Sequence, residues 1–294
     1  MTVEITAGLV KELRERTGSG LMECKRALVE TGGDVEAAIE LMRKQGLVKA
    51  DKRAGRTTAE GRIVLQAENG GGAMAEVNCE TDFVAKGDDF NGFAEHVLKR
   101  AVEDGIDDAE ALLAAPAQAG SDATIDTMRR ELVAKIGENI NVRRLVRFSG
   151  EGVVAGYVHG TRIGVLVQMQ GGDATLARDI AMHIAASKPL AISEDQVPAD
   201  VIEREREIFK AQAAESGKPA DIVEKMVGGR VKKFLAETTL LGQPFVKDPD
   251  VTVGKLVSGA GAKVIRFERF EVGEGVEKTT TDFAQEVMAQ VRGE

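Results

Sequence analysis

The chain has no tryptophan, one tyrosine (Tyr157) and two cysteines among its 294 residues. Aromatic residues make up only 4% of it, too few for a platform on which successive bases stack. Cys24 and Cys79 are too few and too far apart to form a disulfide framework, and they fit a reducing compartment. No apolar run approaches the ~20 residues that span a bilayer, and the first residues hold no signal-peptide core, so the expectation is a soluble, cytoplasmic chain without a membrane contact. Positive charge is also short: 39 Lys and Arg against 48 Asp and Glu leave a net charge of −9. That is a poor footprint for gripping phosphate backbones, so direct nucleic-acid binding is not expected. What is present is ordinary for a folded protein, with 43% hydrophobic and 30% charged residues. The length fits two domains at about 150 residues each.

Residues 1–56 read as a three-helix module with a basic linker. Thr6 is placed to cap a first helix striped by Leu9 and Leu13 and stopped by Thr17-Gly18-Ser19-Gly20. Leu21, Cys24 and Leu28 share one face of a second helix. Gly32-Gly33-Asp34 ends it and caps a third, striped by Val35, Ala38, Ile39 and Met42. The run from Arg43 to Arg56 holds six cations against Asp51. It reads as a solvated helix end and linker in preference to a binding patch.

From residue 57 the period changes from helical to alternating. Residues 57–148 give a strand at Arg62–Gln66, a turn at Asn69–Gly72 and a returning strand from Ala73 to Glu80. A helix follows over 90–103, with Phe90, Phe93, Ala94, Val97 and Leu98 on one face. Another carries Met128, Leu132 and Ile136 up to Gly137, and Val142–Phe148 closes the unit as a strand. Residues 149–275 repeat the plan, with strands at Val153–Tyr157 and Ile163–Met169 and a helix at 173–187. The repeat is plainest at its end, where Val142–Phe148 runs into Gly150-Glu151-Gly152 and Val264–Phe270 into Gly273-Glu274-Gly275. Within the second copy, about 193–240, Ile202 and Phe209 and then Val223, Val227, Val231, Phe234 and Leu235 describe an inserted antiparallel helical hairpin. Phe283, Val287 and Val291 stripe a C-terminal helix within 276–294. The fold class is α+β: two repeated subdomains with small antiparallel sheets, flanked by helical modules.

Chemical motifs are mostly missing. Gly217-Lys218 runs into Pro219 and Gly254-Lys255 into Leu256, so there is no phosphate cradle of the P-loop kind. His96, His159 and His183 lack metal-ligand spacing, and no cofactor or metal is expected. One segment, Asn78-Cys79-Glu80-Thr81-Asp82-Phe83-Val84-Ala85-Lys86, sits where a strand gives way to a helix and admits three readings. Cys79 as a nucleophile, or Glu80 and Asp82 as an acid–base pair, lacks an activating neighbour. Asp82 as a helix cap with Phe83 in the core is a structural alternative. The third is a recognition loop that offers a rigid aromatic ring and an acid to another protein.

Several long segments carry a resemblance: Leu9–Gly18, Glu76–Cys79, Thr81–Lys86, Ala134–Ile140, His159-Gly160, Ala181–Pro189 and Gly242–Val246. Through them the whole chain resembles the bacterial elongation factor Ts family, the guanine-nucleotide exchange factors for elongation factor Tu. The resemblance implies an N-terminal module like ubiquitin-associated domains and a partner-binding turn, Thr81, Asp82, Phe83 and Val84. Its Asp82 and Phe83 would enter between helices of the partner's GTPase domain and displace the groups that hold the nucleotide's Mg²⁺. Ile136, Gly137 and His159 match further partner contacts, and Lys25 matches an N-terminal one. The C-terminal helix with Phe283 and Val287 is implied to dock on the GTPase domain. The partner would be met in its GDP-bound and nucleotide-free states, with no covalent chemistry, and the hairpin leaves open a homodimer of the one-to-one complex. Residues 114–126 and 149–153 match the family pattern less well. The alternative function is a non-catalytic adaptor acting through the three-helix module.

Overall fold

The computed structural model describes residues 5–68, 70–215 and 219–277. The C-terminal helix expected in 276–294, with Phe283 and Val287, lies outside the described residues. In chain order the elements are α1 (Ala7–Thr17), α2 (Leu21–Glu30), α3 (Val35–Arg53), β1 (Glu60–Glu68), β2 (Gly71–Cys79), α4 (Asp82–Ala85), α5 (Asp88–Asp104), α6 (Ala109–Ala114) and α7 (Ile125–Ile136). Then come β3 (Ile140–Phe148), β4 (Val153–His159), β5 (Ile163–Gln170), α8 (Ala174–Ser187), α9 (Ala199–Ala214), α10 (Ala220–Thr238), β6 (Pro244–Phe245), β7 (Asp248–Thr252), α11 (Val253–Gly259) and β8 (Lys263–Glu271). The architecture is α+β, as expected. By compactness the chain divides into one unit of residues 1–62, 75–145 and 272–294 and another of 63–74 and 146–271.

In the first unit, Thr6 caps α1 by accepting from the Leu9 N–H, and Asp34 caps α3 by accepting from Ala37. Val10, Leu13, Cys24, Ala27, Leu28 and Ala38 form the small core of the three helices. Leu21, read as part of the buried stripe of α2, is instead exposed. In the run read as helix end and linker, α3 continues as far as Arg53. Its later turns bury Gly46 and Ala50. A Cβ at Gly46 would stand 2.9 Å from the Ala134 methyl of α7, so only glycine lets the two helices approach this closely. Arg43 pairs with Glu131 at 2.6 Å, and Arg130 reaches both carboxylate oxygens of Asp51 at 2.6 Å. Together with Lys44–Glu40, Lys49–Glu23 and Arg56–Glu80, these pairs spend much of the basic run internally.

β1, β2 and β3 follow that order in a three-stranded sheet, so β2 is central. Burial runs unbroken from Ala73 to Cys79 and therefore takes in Glu76 and Asn78. α5 buries Phe90, Phe93, Ala94, Val97 and Leu98, the face read from its period. In α7 the fully buried positions are Ile125 and Val133, while Met128, Leu132 and Ile136 are half-buried. Residues 114–126, which match the family pattern less well, reverse the chain, with an antiparallel bridge between Pro116 and Thr124.

In the second unit, β4, β5 and β8 form an antiparallel sheet with β5 central. Its register runs from Val153 opposite Met169 to His159 opposite Ile163. α8 covers one face, and Val165, Val167, Met169, Ile180, Ala181 and Ile184 lie in the shared core. The inserted hairpin is α9 and α10, with its own core of Ala213, Val227 and Val231 flanked by Ile202, Phe209, Val223 and Leu235. The short β6, β7 and α11 were not read from the sequence, nor was α6.

His183 ties α8 to the segment that follows the hairpin. Its Nδ1 accepts the Val246 N–H at 3.2 Å, so Nε2 carries the proton and donates to Gln243 Oε1 at 2.9 Å. Gln243 in turn donates to the carbonyl of Glu237 in α10 at 2.8 Å. Burial pushes the imidazole pKa below its ordinary value, because the charged ring would lose water, and this outweighs the opposite pull of the Gln243 hydrogen bond. The folded state thus favours the neutral ring. Stability is expected to be full above the unfolded value of about 6.5 and to fall as pH drops below it toward the folded value. Urea unfolding at a series of pH values checks this. His183→Gln should lose the part of the acid slope that sets in as pH falls below about 6.5, and an unchanged slope would contradict the assignment.

Candidate functional site

The segment that admitted three readings begins at the buried end of β2. Cys79 is fully buried, its thiol donates to the Thr81 carbonyl at 3.2 Å, and burial pushes its pKa up to about 12. Glu138 and Glu60 add to that shift by repelling a thiolate. A thiol held protonated in this way is no nucleophile at neutral pH. After it the chain turns at Thr81, whose extended backbone and side chain cap α4: Oγ1 accepts the Val84 N–H at 3.4 Å. The cap is Thr81 and not Asp82, which corrects the structural alternative.

α4 is a single turn with no buried residue, and Phe83 is 82% exposed. Its assignment to the core is thereby overturned as well. Asp82 is exposed and pairs with Lys86 one turn on, at 2.6 Å. The Lys86 ammonium holds the Asp82 carboxyl below the usual carboxylate range, so it is an anion at neutral pH. Val84 is half-buried on the inner side of the turn. The result is an aromatic ring and a carboxylate on successive residues in solvent, on a turn whose other two residues, Val84 and Ala85, are half-buried. An exposed ring of this size costs solvation, and its usual use is as an anchor for a partner.

The end of α7 meets this turn. Gly137 closes the helix in the left-handed region at φ 92°, which a side chain would strain. The next residue, Glu138, accepts from the Thr81 N–H at 3.0 Å and from its hydroxyl at 2.7 Å. In the opposite sense, Glu80 accepts from the Asn139 N–H at 2.6 Å and from Arg56 at 3.3 Å. Asn139 donates onward to the carbonyls of Ala54 and Arg56. Ile136 and Gly137 are thus brought to the turn that holds Asp82 and Phe83.

The remaining sequence candidates are placed separately. Lys25 is exposed on α2, beside exposed Leu21, Met22 and Val29. His159 is exposed at the end of β4 in the second unit, with Nδ1 3.1 Å from the Tyr157 hydroxyl. Phe283 and Val287 lie outside the described residues. Glu138 and Asn139 were missed as site residues, and Glu80 was weighed only as half of an acid–base pair with Asp82. The available signal was that Glu138 and Asn139 lie inside the matched segment Ala134–Ile140 and Glu80 directly before Thr81–Lys86, but nothing in their spacing says that they exchange partners. Among the described residues, no group of three His, Cys, Asp or Glu could hold a metal ion.

Comparison with known proteins gives a consistent result. The family model described as Elongation factor TS matches residues 80–274, which include Thr81–Val84, Ile136, Gly137 and His159. The chain is 67% identical to Elongation factor Ts of Methylococcus capsulatus over 293 residues, covering 99% of each chain. It is 61% identical to Elongation factor Ts of Alkalilimnicola ehrlichii over 292 residues, 98% of this chain and 99% of that one. To the protein of the same name from Halorhodospira halophila it is 59% identical over 292 residues, 99% of each. With a family model over more than half its length and relatives matched end to end, the chain belongs to the elongation factor Ts family.

Proposed function

We propose that this elongation factor is a guanine-nucleotide exchange factor for elongation factor Tu that acts by binding alone, without a covalent step. The observation that carries the reading is Phe83, an aromatic ring 82% exposed beside an ionised Asp82 on a turn fixed from below. Placed between helices of a GTPase domain, such a pair moves the groups that support the nucleotide's Mg²⁺. That ion neutralises phosphate charge, so a disturbed coordination shell lowers nucleotide affinity. The coupling is reciprocal: GDP weakens binding of this chain by the factor by which this chain weakens GDP binding. Ile136 and Gly137 extend the contact from the end of α7, and Lys25 and His159 supply contacts elsewhere.

A second reading has its own observation. Leu21, Met22 and Val29 are exposed on α2, and an adaptor would use such a face without any exchange activity. The two readings part on one measurement. With fluorescent GDP bound to elongation factor Tu, addition of the full chain is expected to accelerate release by at least about tenfold, equivalent to a release barrier lower by ~1.4 kcal/mol. Release at the spontaneous rate, with complex formation intact, would leave the adaptor.

A further inference from the structure

Thr81 has every polar group engaged. Its N–H and hydroxyl both donate to Glu138, its Oγ1 accepts from Val84, and its carbonyl accepts from Ala85 at 3.2 Å and from the Cys79 thiol at 3.2 Å. The carboxylate of Glu138 therefore grips the one residue from which α4 starts. α4 itself is four residues long and buries nothing. A single helical turn has no stability of its own, since nucleation fixes several dihedral angles for one hydrogen bond. Its direction in space must come from what holds its first residue.

We propose that Glu138 is a positioning residue for the Asp82–Phe83 pair: it sets the turn before the partner arrives and couples it to the α7 end that carries Ile136 and Gly137. The proposal rests on the exchange reading above. Removing the carboxylate leaves the ring and the acid present but free to point in several directions. A displacement of about 1 Å in a working group can cost up to ~100-fold in rate, so a loss of about tenfold in maximal release rate is a moderate expectation. The concentration of chain giving half-maximal stimulation depends on many other contacts and should change less than about threefold. A purely structural role behaves differently. It lowers the folded fraction, which raises the half-saturating concentration and leaves the maximal rate unchanged.

The experiment is a titration of stimulated GDP release from elongation factor Tu with Glu138→Ala, Glu138→Gln, Phe83→Ala and the double variant Glu138→Ala/Phe83→Ala. Glutamine keeps an oxygen for the Thr81 N–H and an amide that donates to the hydroxyl, so it should restore the maximal rate to within about threefold of the parent. In the Phe83→Ala background, Glu138→Ala should add less than it does in the parent, because the part of its effect that passes through the ring is already gone. A parental maximal rate in Glu138→Ala, glutamine as slow as alanine, or a full additive loss in the double variant would each overturn the proposal. If Phe83→Ala alone released GDP at the parental rate, the exchange reading of this turn and the proposal would both fall. If Phe83→Ala were slow and Glu138→Ala fast, only the positioning role would fall. Should Glu138→Ala not fold, Thr81→Val removes the hydroxyl, and with it both the donation to Glu138 and the cap on the Val84 N–H; it should lower the maximal rate, and a parental rate would overturn the proposal.

Discussion

Phe83→Ala is expected to slow stimulated GDP release from elongation factor Tu by about 30-fold or more, as for an aromatic anchor worth ~2 kcal/mol or more at an interface. Its melting temperature should stay within about 2 °C of the parent, because an exposed side chain contributes little to folding. The two halves of this expectation come from one fact: the ring is 82% exposed and no core residue depends on it. Asp82→Ala should also slow release, through loss of the carboxylate. The Asp82–Lys86 pair is exposed, so its loss should leave stability nearly unchanged. A stopped-flow measurement of release and a thermal melt on each variant check both halves. Parental release from both variants would remove the turn from the mechanism. A Phe83→Ala protein that melted well below the parent would mean that the ring packs in solution.

The largest stability effect is expected at Glu76. This carboxylate is fully buried on β2 and accepts from Arg143 at 3.2 and 3.4 Å, from Arg144 at 2.5 Å, from Asn78 at 3.0 Å and from the Gly273 N–H at 2.9 Å. Glu76→Ala would leave two guanidinium groups and a backbone donor short of an acceptor in a space that water fills poorly. Removing one partner of a buried ion pair typically costs about 3–5 kcal/mol. For a unit of this size that corresponds to a fall in melting temperature of roughly 10 °C. Glu76→Gln keeps the shape and one acceptor oxygen, so its loss should be smaller. Denaturant unfolding of the three proteins gives the comparison, and an alanine variant within about 1 kcal/mol of the parent would show that the cluster relaxes into solvent.

How much of this was legible depended on what each segment buries. The α5 face of Phe90, Phe93, Ala94, Val97 and Leu98 was readable because large apolar side chains repeat with the helical period. The second half of α3 was not, since its contact with α7 uses Gly46 and Ala50, residues whose value is their smallness and which give no hydrophobic signal. Short elements such as α4, α6 and β6 borrow their stability from neighbours, so their own residues say little. At Asp82 and Phe83 residue type alone allowed core or surface, and only the resemblance favoured surface. The pairing of Thr81 with Glu138 spans 57 positions and has no local trace in the sequence.

The hairpin of α9 and α10 has a further consequence for how such chains diverge. Its inner side chains, Ala213, Val227 and Val231 with Ile202, Phe209, Val223 and Leu235, satisfy one another. Its root is fixed separately, by the Leu190 N–H on the Thr238 carbonyl and by Gln243 on Glu237. Layers between root and tip are therefore nearly independent, as in a repeat array, where each layer's stability depends on its immediate neighbours. Adding or deleting seven residues in each helix keeps the same faces inward and moves the tip by about 10 Å. The length of the arm can thus change in steps while the sheet, α8 and the root hydrogen bonds stay as they are.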